Sequence, residues 1–125
     1  MSIEATLEKL TKAWNEQDVD TIVSLFAESG AYHEPTGPEN LGRTHQGHAA
    51  IRAALEKGFE AFPDGRIIPT AAAMITGNSA HSEWDFEFSA KGGNKVRVHG
   101  VDVFTFEGDL IKHKNAYLKQ YVAAA

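Results

Sequence analysis

The segment HGVDVFTFEGDLI, residues 99–111, alternates aliphatic or polar residues with aromatic ones and then reaches a turn. Successive side chains of a strand point to opposite faces, so Asp102, Phe104 and Phe106 share one face of a strand predicted over residues 95–106. Glu-Gly-Asp at 107–109 predicts a turn into a last strand over residues 110–122. The aromatic face is the better candidate for burial, and it takes an acidic residue with it.

Two more strands are predicted before this segment. Residues 66–76 are largely apolar and end at a Gly-Asn turn, and residues 80–89 alternate strictly. Trp84, Phe86 and Phe88 share one face of the second of these strands, and acidic residues occupy the other. A Lys-Gly-Gly-Asn turn at 91–94 connects it to the next strand. The second half of the chain therefore predicts a four-strand antiparallel meander.

The first half of the chain is mainly helical by its apolar spacing. A first helix runs to about Gln17, a short second helix passes through Val19 to Phe26, and a third runs from His48 to Phe62. The stretch AYHEPTG, residues 31–37, predicts a short strand over 31–36, followed by a loop rich in proline and glycine. The fold class is therefore α+β, with three N-terminal helices on a curved antiparallel sheet that forms a cone. We expect a single domain over residues 1–125, with an apolar pocket at the open end of the cone.

Composition excludes several functional classes. The chain has 12 Lys and Arg against 17 Asp and Glu, a net charge of −5 that argues against nucleic acid as a partner. It contains no cysteine, which fits a cytoplasmic location and excludes thiolate chemistry. No apolar run approaches the length of a membrane span, so no membrane partner is expected. His33, His45 and His48 are interpreted as loop or surface residues, and neither a metal nor a cofactor is expected.

Two acidic residues fall where the pattern predicts burial. Glu34 shares a face with Tyr32 on the short strand, and Asp102 shares one with the phenylalanines of residues 99–106. Burial and mutual repulsion can separate the pKa values of two carboxyl groups, which suits one as a base and the other as a hydrogen-bond donor. The alternative is that both are solvated, or paired with Arg43, Arg66 or Arg97.

Two motifs carry a family resemblance that extends over nearly the whole chain. NEQDVDTIVSLFA, residues 15–27, and GVDVFTFEGD, residues 100–109, resemble the SnoaL-like and ketosteroid isomerase-like branch of the nuclear transport factor 2-like superfamily. The resemblance implies the cystatin-like cone and a homodimer through the outer sheet face. It implies Glu34, which precedes Pro35, as the general base and Asp102 as the protonated donor to an oxyanion. It departs at Leu10, where the isomerases have a tyrosine donor, and the alternative sources of that donor are Tyr32 and Tyr117.

The last strand leaves two alternatives open. His113, Asn115 and Tyr117 share one face, which either lines the cone or meets a second subunit; we favour the cone. The expected catalytic residues are then Glu34 and Asp102. The expected walls of the substrate pocket are Tyr32, Trp84, Phe86, Phe104, His113, Asn115 and Tyr117.

Three functions follow from this interpretation. The first is a cofactor-independent isomerase or cyclase that transfers a proton α to a carbonyl in a small hydrophobic, ring-containing substrate. The second is a non-catalytic module for small-molecule binding or dimerisation. The third is a hydratase or hydrolase that uses a pocket water held between Glu34 and His113. The SnoaL-type cyclases use an acidic residue and a histidine in the cone, and the resemblance implies Asp102 and His113 for these two positions.

Overall fold

The computed structural model describes residues 1–120. Three helices and seven strands follow one another along the chain: α1 (Ile3–Asn15), α2 (Val19–Ser24), β1 (Phe26–His33), β2 (Thr44–Gln46), α3 (His48–Ala61), β3 (Arg66–Pro69), β4 (Met74–Thr76), β5 (Ser79–Ser89), β6 (Lys95–Glu107) and β7 (Leu110–Leu118). The expected α+β class, with three helices packed on a curved and unclosed sheet, is confirmed.

Side-chain caps fix the starts of the first two helices. The Ser2 hydroxyl accepts a hydrogen bond from the Ala5 amide at 3.0 Å, and the Asp18 carboxylate accepts one from the Thr21 amide at 3.2 Å. Helix α2 ends at Ser24, earlier than predicted, because Phe26 already belongs to β1. Helix α3 matches its predicted start and ends one residue early, at Ala61.

The sheet is mixed, which corrects the antiparallel prediction. Its strand order is β2-β1-β7-β6-β5-β3, with β4 also paired to β5. Strands β5, β6 and β7 form the predicted antiparallel meander, whereas β1 runs parallel to β7. The local pattern of a strand does not encode its partner, and a parallel partner requires a long crossover, here most of the chain.

The boundaries of the other strands also differ from prediction. Strand β1 spans residues 26–33, so the predicted strand 31–36 begins earlier and ends earlier. The predicted strand 66–76 is two strands, β3 and β4, which pair with successive parts of β5 and are interrupted at residues 70–73. Strand β7 ends at Leu118, and residues 121 and 122 of the predicted last strand lie outside the described residues.

The core lies between the helices and the concave face of the sheet. Its largest fully buried apolar side chains come from α2, β1, α3, β6 and β7, together with the residue that follows α2: Ile22, Leu25, Phe26, Ile51, Phe104 and Ile111. Near the open end of the cone the core gives way to a cavity. No helix within residues 1–120 is long and apolar enough to cross a membrane.

Candidate functional site

A cavity of about 1100 Å³ opens at the wide end of the cone. Helix α1 contributes Leu10 and Trp14 to its wall, and α3, with Phe62 directly after it, contributes the side that begins at Ala54. The sheet contributes β1, β5, β6 and β7. Six residues expected at the site border this cavity: Tyr32, Glu34, Trp84, Phe86, Asp102 and Phe104.

Asp102 is bound by two donors deep in the cavity. The Trp84 indole Nε1–H donates to Asp102 Oδ2 at 3.0 Å, and Lys114 Nζ donates to Oδ1 at 3.0 Å. Both partners can only donate, so both carboxyl oxygens accept, as in a carboxylate anion. The expected role of Asp102 as a protonated donor does not fit these partners. Its contacts make it the acceptor that holds an indole and an ammonium group in place.

Lys114 is the functional candidate that sequence reasoning missed. Its side chain is only 5% exposed and borders the cavity. The ammonium group lies 4.4 Å from the ring centroid of Trp14 and 4.8 Å from that of Tyr32. One carboxylate and two aromatic faces therefore compensate the burial of this charge. The result is a buried ion pair on the wall of a largely apolar cavity.

The expectation that His113, Asn115 and Tyr117 line the cavity is wrong. Thr105 pairs with His113 and Phe106 with Ile111, so Lys112 is an extra residue that forms a β-bulge. The bulge switches the inward positions of β7 from odd to even numbers. Ile111 therefore points inward before the bulge, and Lys114 and Ala116 point inward after it. The three expected residues project from the outer face, where Asn115 Nδ2 donates to the Tyr117 hydroxyl at 3.1 Å.

Tyr32 supplies a hydroxyl to the cavity at a position next to the two carboxylates. Burial raises the pKa of the Tyr32 phenol well above its usual range, and the negative charges of Asp102 and Glu34 raise it further. The phenol therefore keeps its proton at neutral pH. It is a neutral hydrogen-bond donor on the cavity wall. Such a donor is missing at the Leu10 position, where the isomerases have a tyrosine.

Glu34 borders the cavity and is held from behind by a histidine. His45 Nε2 lies 2.7 Å from Glu34 Oε2. The two side chains are 17% and 38% exposed, so the histidine is the more buried partner. Strand β2 places His45 directly opposite Tyr32 of β1. His45 was expected to be a surface residue; the β1–β2 pairing brings it to the carboxylate of the site.

Two further histidines form a pair on the outer face of the sheet. His33 Nε2 lies 3.1 Å from His113 Nδ1, and His33 Nδ1 lies 2.8 Å from Thr44 Oγ1. Burial lowers the pKa of His33, and the neighbouring His113 lowers it further. Within residues 1–120, no three or more His, Asp or Glu side chains are grouped so as to hold a metal ion.

The comparison with known families matches residues 7–114 to the SnoaL-like domain. The match covers most of the chain, including both motifs that carried the resemblance. The chain belongs to the SnoaL-like domain family. None of the curated proteins compared with it matches.

Solved structures share the fold of this SnoaL-like chain. A protein of unknown function with a cystatin-like fold from Xanthomonas campestris aligns with a TM-score of 0.81 and 21% identity, over 96% of this chain and 92% of that one. A protein with a ketosteroid isomerase-like fold from Catenulispora acidiphila, in complex with trimethylamine, aligns with a TM-score of 0.79 and 18% identity, over 90% of this chain and 83% of that one. The epoxide hydrolase/cyclase-like enzyme SalBIII, described in pyran ring formation in the polyether salinomycin, aligns with a TM-score of 0.78 and 23% identity, over 94% of this chain and 90% of that one. These identities support the shared fold and carry no activity across.

Proposed function

We propose that this SnoaL-like protein is a cofactor-independent enzyme that transfers a proton α to a carbonyl group in a small hydrophobic, ring-containing substrate. The observation that carries the proposal is the juxtaposition of Tyr32 and Glu34. Tyr32 lies near the end of β1 and Glu34 directly after that strand, both border the cavity, and Tyr32 is a protonated donor. A base beside a hydrogen-bond donor is the minimum that enolisation requires.

Each side chain has a defined part in the proposed reaction. The Glu34 carboxylate takes the proton from the carbon next to the carbonyl group. The Tyr32 hydroxyl donates a hydrogen bond to the enolate oxygen, and the Lys114 ammonium group, paired with Asp102, lies 4.8 Å from the centroid of the Tyr32 ring. Asp102 and Trp84 act indirectly by holding Lys114 and shaping the wall. Returning the proton to another carbon completes an isomerisation. In a cyclisation the enolate carbon attacks a second carbonyl group, and the proton held by Glu34 passes to the alkoxide oxygen that forms.

Exchange of α-hydrogens for deuterium tests the proposal without knowledge of the natural substrate. β-Tetralone in D₂O is a suitable ketone, and proton NMR follows the loss of its α-hydrogen signal. Glu34→Gln removes the base but keeps the shape, and we expect the protein-dependent exchange rate to fall by about 10²–10⁴-fold. Tyr32→Phe removes one oxyanion donor, and we expect a fall of about 10²–10³-fold.

Glu8→Gln is the matched control for this experiment. Glu8 also borders the cavity, from α1, but it is exposed and lies on another element. We expect exchange in Glu8→Gln to match the wild-type rate. Equal rates in the two glutamine variants, or a wild-type rate no faster than buffer, would remove proton transfer from the proposal.

The second candidate is a non-catalytic binding module, and a specific observation favours it. Asp102 and Lys114 neutralise each other, so the two acids are not divided into one ionised and one protonated group as an isomerase pair would be. A hydratase that holds water between Glu34 and His113 has no such support, because these residues lie on opposite faces of the sheet.

A cytoplasmic location remains part of the proposal, and it is supported by the absence of cysteine from the sequence.

We also propose a homodimer through the outer face of the sheet. Val103 and Tyr117 are 42% and 51% exposed there, on the same face of the sheet as the Arg97–Asp85 ion pair. Sedimentation equilibrium is expected to give twice the chain mass of 13.6 kDa. Val103→Asp should shift the mass to that of a monomer. Leu41→Asp adds the same charge at an exposed leucine in the loop between β1 and β2, and it should leave the dimer intact. A wild-type monomer contradicts the proposal.

A further inference from the structure

Helix α3 and the residue that follows it border the cavity with Ala54, Leu55, Gly58 and Phe59 from the helix and Phe62 just after it. Spacings of three and four residues place Gly58 on the same side of the helix as Ala54 and Leu55. Leu55, Phe59 and Phe62 bring large side chains to this wall, and Gly58 lies among them with none. The wall therefore contains a notch one helical turn before the end of α3.

No structural requirement accounts for glycine at this notch. Gly58 lies within a regular helix, where glycine is the least favourable residue after proline, and its backbone does not adopt the left-handed conformation. Among residues 1–120, apart from its two chain neighbours and the adjacent helix backbone, no heavy atom lies within 4 Å of the place where its Cβ would be. Gly65 differs, because a Cβ there would lie 2.8 Å from the Phe86 ring.

Gly58 also lies at the opening of the cavity and not in its depth. The residue is exposed and borders the cavity, whereas Leu55, one turn earlier, is buried. The open space beside Gly58 is therefore at an exposed part of the cavity wall. A Cβ at residue 58 would occupy this space without contacting a packed neighbour from another part of the described chain.

We propose that Gly58 is a specificity-determining residue whose missing side chain keeps the cavity opening wide and so sets the largest ligand that can enter. The inference rests on the proposed function only in that the cavity takes up a small molecule. It does not depend on proton transfer. Glycine at this position makes α3 less stable than most other residues would. In return, the cavity admits ligands broader than a single ring.

Alkylation of a thiol placed inside the cavity measures this access directly, because the chain contains no cysteine of its own. Ala116 is buried and borders the cavity, so Ala116→Cys introduces one internal thiol. Two reagents of the same chemistry and different width are compared, N-ethylmaleimide and N-pyrenylmaleimide. Intact mass against time gives both rates in the Gly58, Gly58→Ala and Gly58→Leu backgrounds.

We expect both reagents to modify the thiol when residue 58 is glycine. Gly58→Leu is expected to slow the pyrenyl reagent by about tenfold or more, with the rate of the ethyl reagent nearly unchanged. Gly58→Ala should raise Tm by a few degrees, because alanine favours the helix, and should affect the pyrenyl rate less than leucine does. Ala53→Leu is the matched control, since Ala53 is an exposed residue of α3 that does not border the cavity.

The inference is overturned if Gly58→Leu slows both reagents equally, slows neither, or acts no more strongly than Ala53→Leu. It is also overturned if the internal thiol does not react with N-ethylmaleimide in the glycine background. Should Ala116→Cys fail to fold, Ala73→Cys places the thiol on another part of the cavity wall. The assay needs neither a ligand nor turnover, so a failed exchange experiment with β-tetralone leaves its result unaffected.

Discussion

Replacing Lys114 with methionine is expected to lower the free energy of unfolding by about 3–5 kcal/mol. The substitution keeps the length and packing of the side chain but removes its charge. Asp102, whose side chain is only 10% exposed, is then left as a buried anion with the Trp84 indole as its remaining donor. The faces of Trp14 and Tyr32 lose the ammonium group that they contact. Urea denaturation near neutral pH, followed by circular dichroism, measures the loss.

Two further variants separate charge from packing. Adding Asp102→Leu to Lys114→Met removes the orphaned anion, and we expect the double variant to regain most of the lost stability, because an apolar pair often replaces a buried ion pair without cost. Lys112→Met changes the neighbouring exposed lysine of the bulge, and we expect an effect within about 0.5 kcal/mol. If the double variant is no more stable than Lys114→Met, the buried ion pair is not the source of the effect.

Gly100→Ala is expected to lower the free energy of unfolding by about 1–3 kcal/mol. A Cβ at this position of β6 would lie 2.6 Å from Trp84 Cη2 and 2.7 Å from the Tyr117 carbonyl oxygen. The backbone of Tyr117 cannot yield easily, so the indole must move. Because the same indole donates to Asp102, the shift should also change the NMR signal of its Nε1–H. Urea denaturation and a nitrogen-15 spectrum of the two tryptophan indoles measure both effects.

Gly58→Ala makes the same chemical change where a Cβ meets no atom of the described chain. This control should lose no stability and leave the Trp84 signal in place. A Gly100→Ala variant as stable as the wild type, with an unshifted indole signal, would mean that the contact between β6 and Trp84 is looser than its geometry indicates.

Local sequence patterns predicted the elements but not all of their partners. Apolar spacing located α1 and α3, and alternation located β5 and β6 with their inward faces. The parallel pairing of β1 with β7 was not predicted, because it joins segments about eighty residues apart. Alternation also failed after residue 111, since one extra residue at Lys112 reverses the faces and leaves no mark in the polarity pattern.

The candidate site was predictable to the same extent. Tyr32, Glu34 and Asp102 follow from alternation within single strands, and all three border the cavity. Lys114 could not be predicted in this way, because the inward direction of its side chain depends on the β-bulge at Lys112. The state of Asp102 could not be predicted either, because it depends on that lysine and on the Trp84 indole of another strand. His45 reaches Glu34 only through the pairing of β1 with β2.

The parallel contact between β1 and β7 also bears on how the protein is made. Strand β1 leaves the ribosome well before β7, yet β7 is one of its two neighbours in the sheet and the last strand described. Until residues 110–118 emerge, one edge of β1 and one edge of β6 have no partner, and an open strand edge invites pairing with other chains. Contacts so distant in sequence also slow folding. A nascent chain that pauses before β7 therefore exposes the unpaired edges of β1 and β6 at the same time. It also lacks Lys114, the lysine that neutralises Asp102.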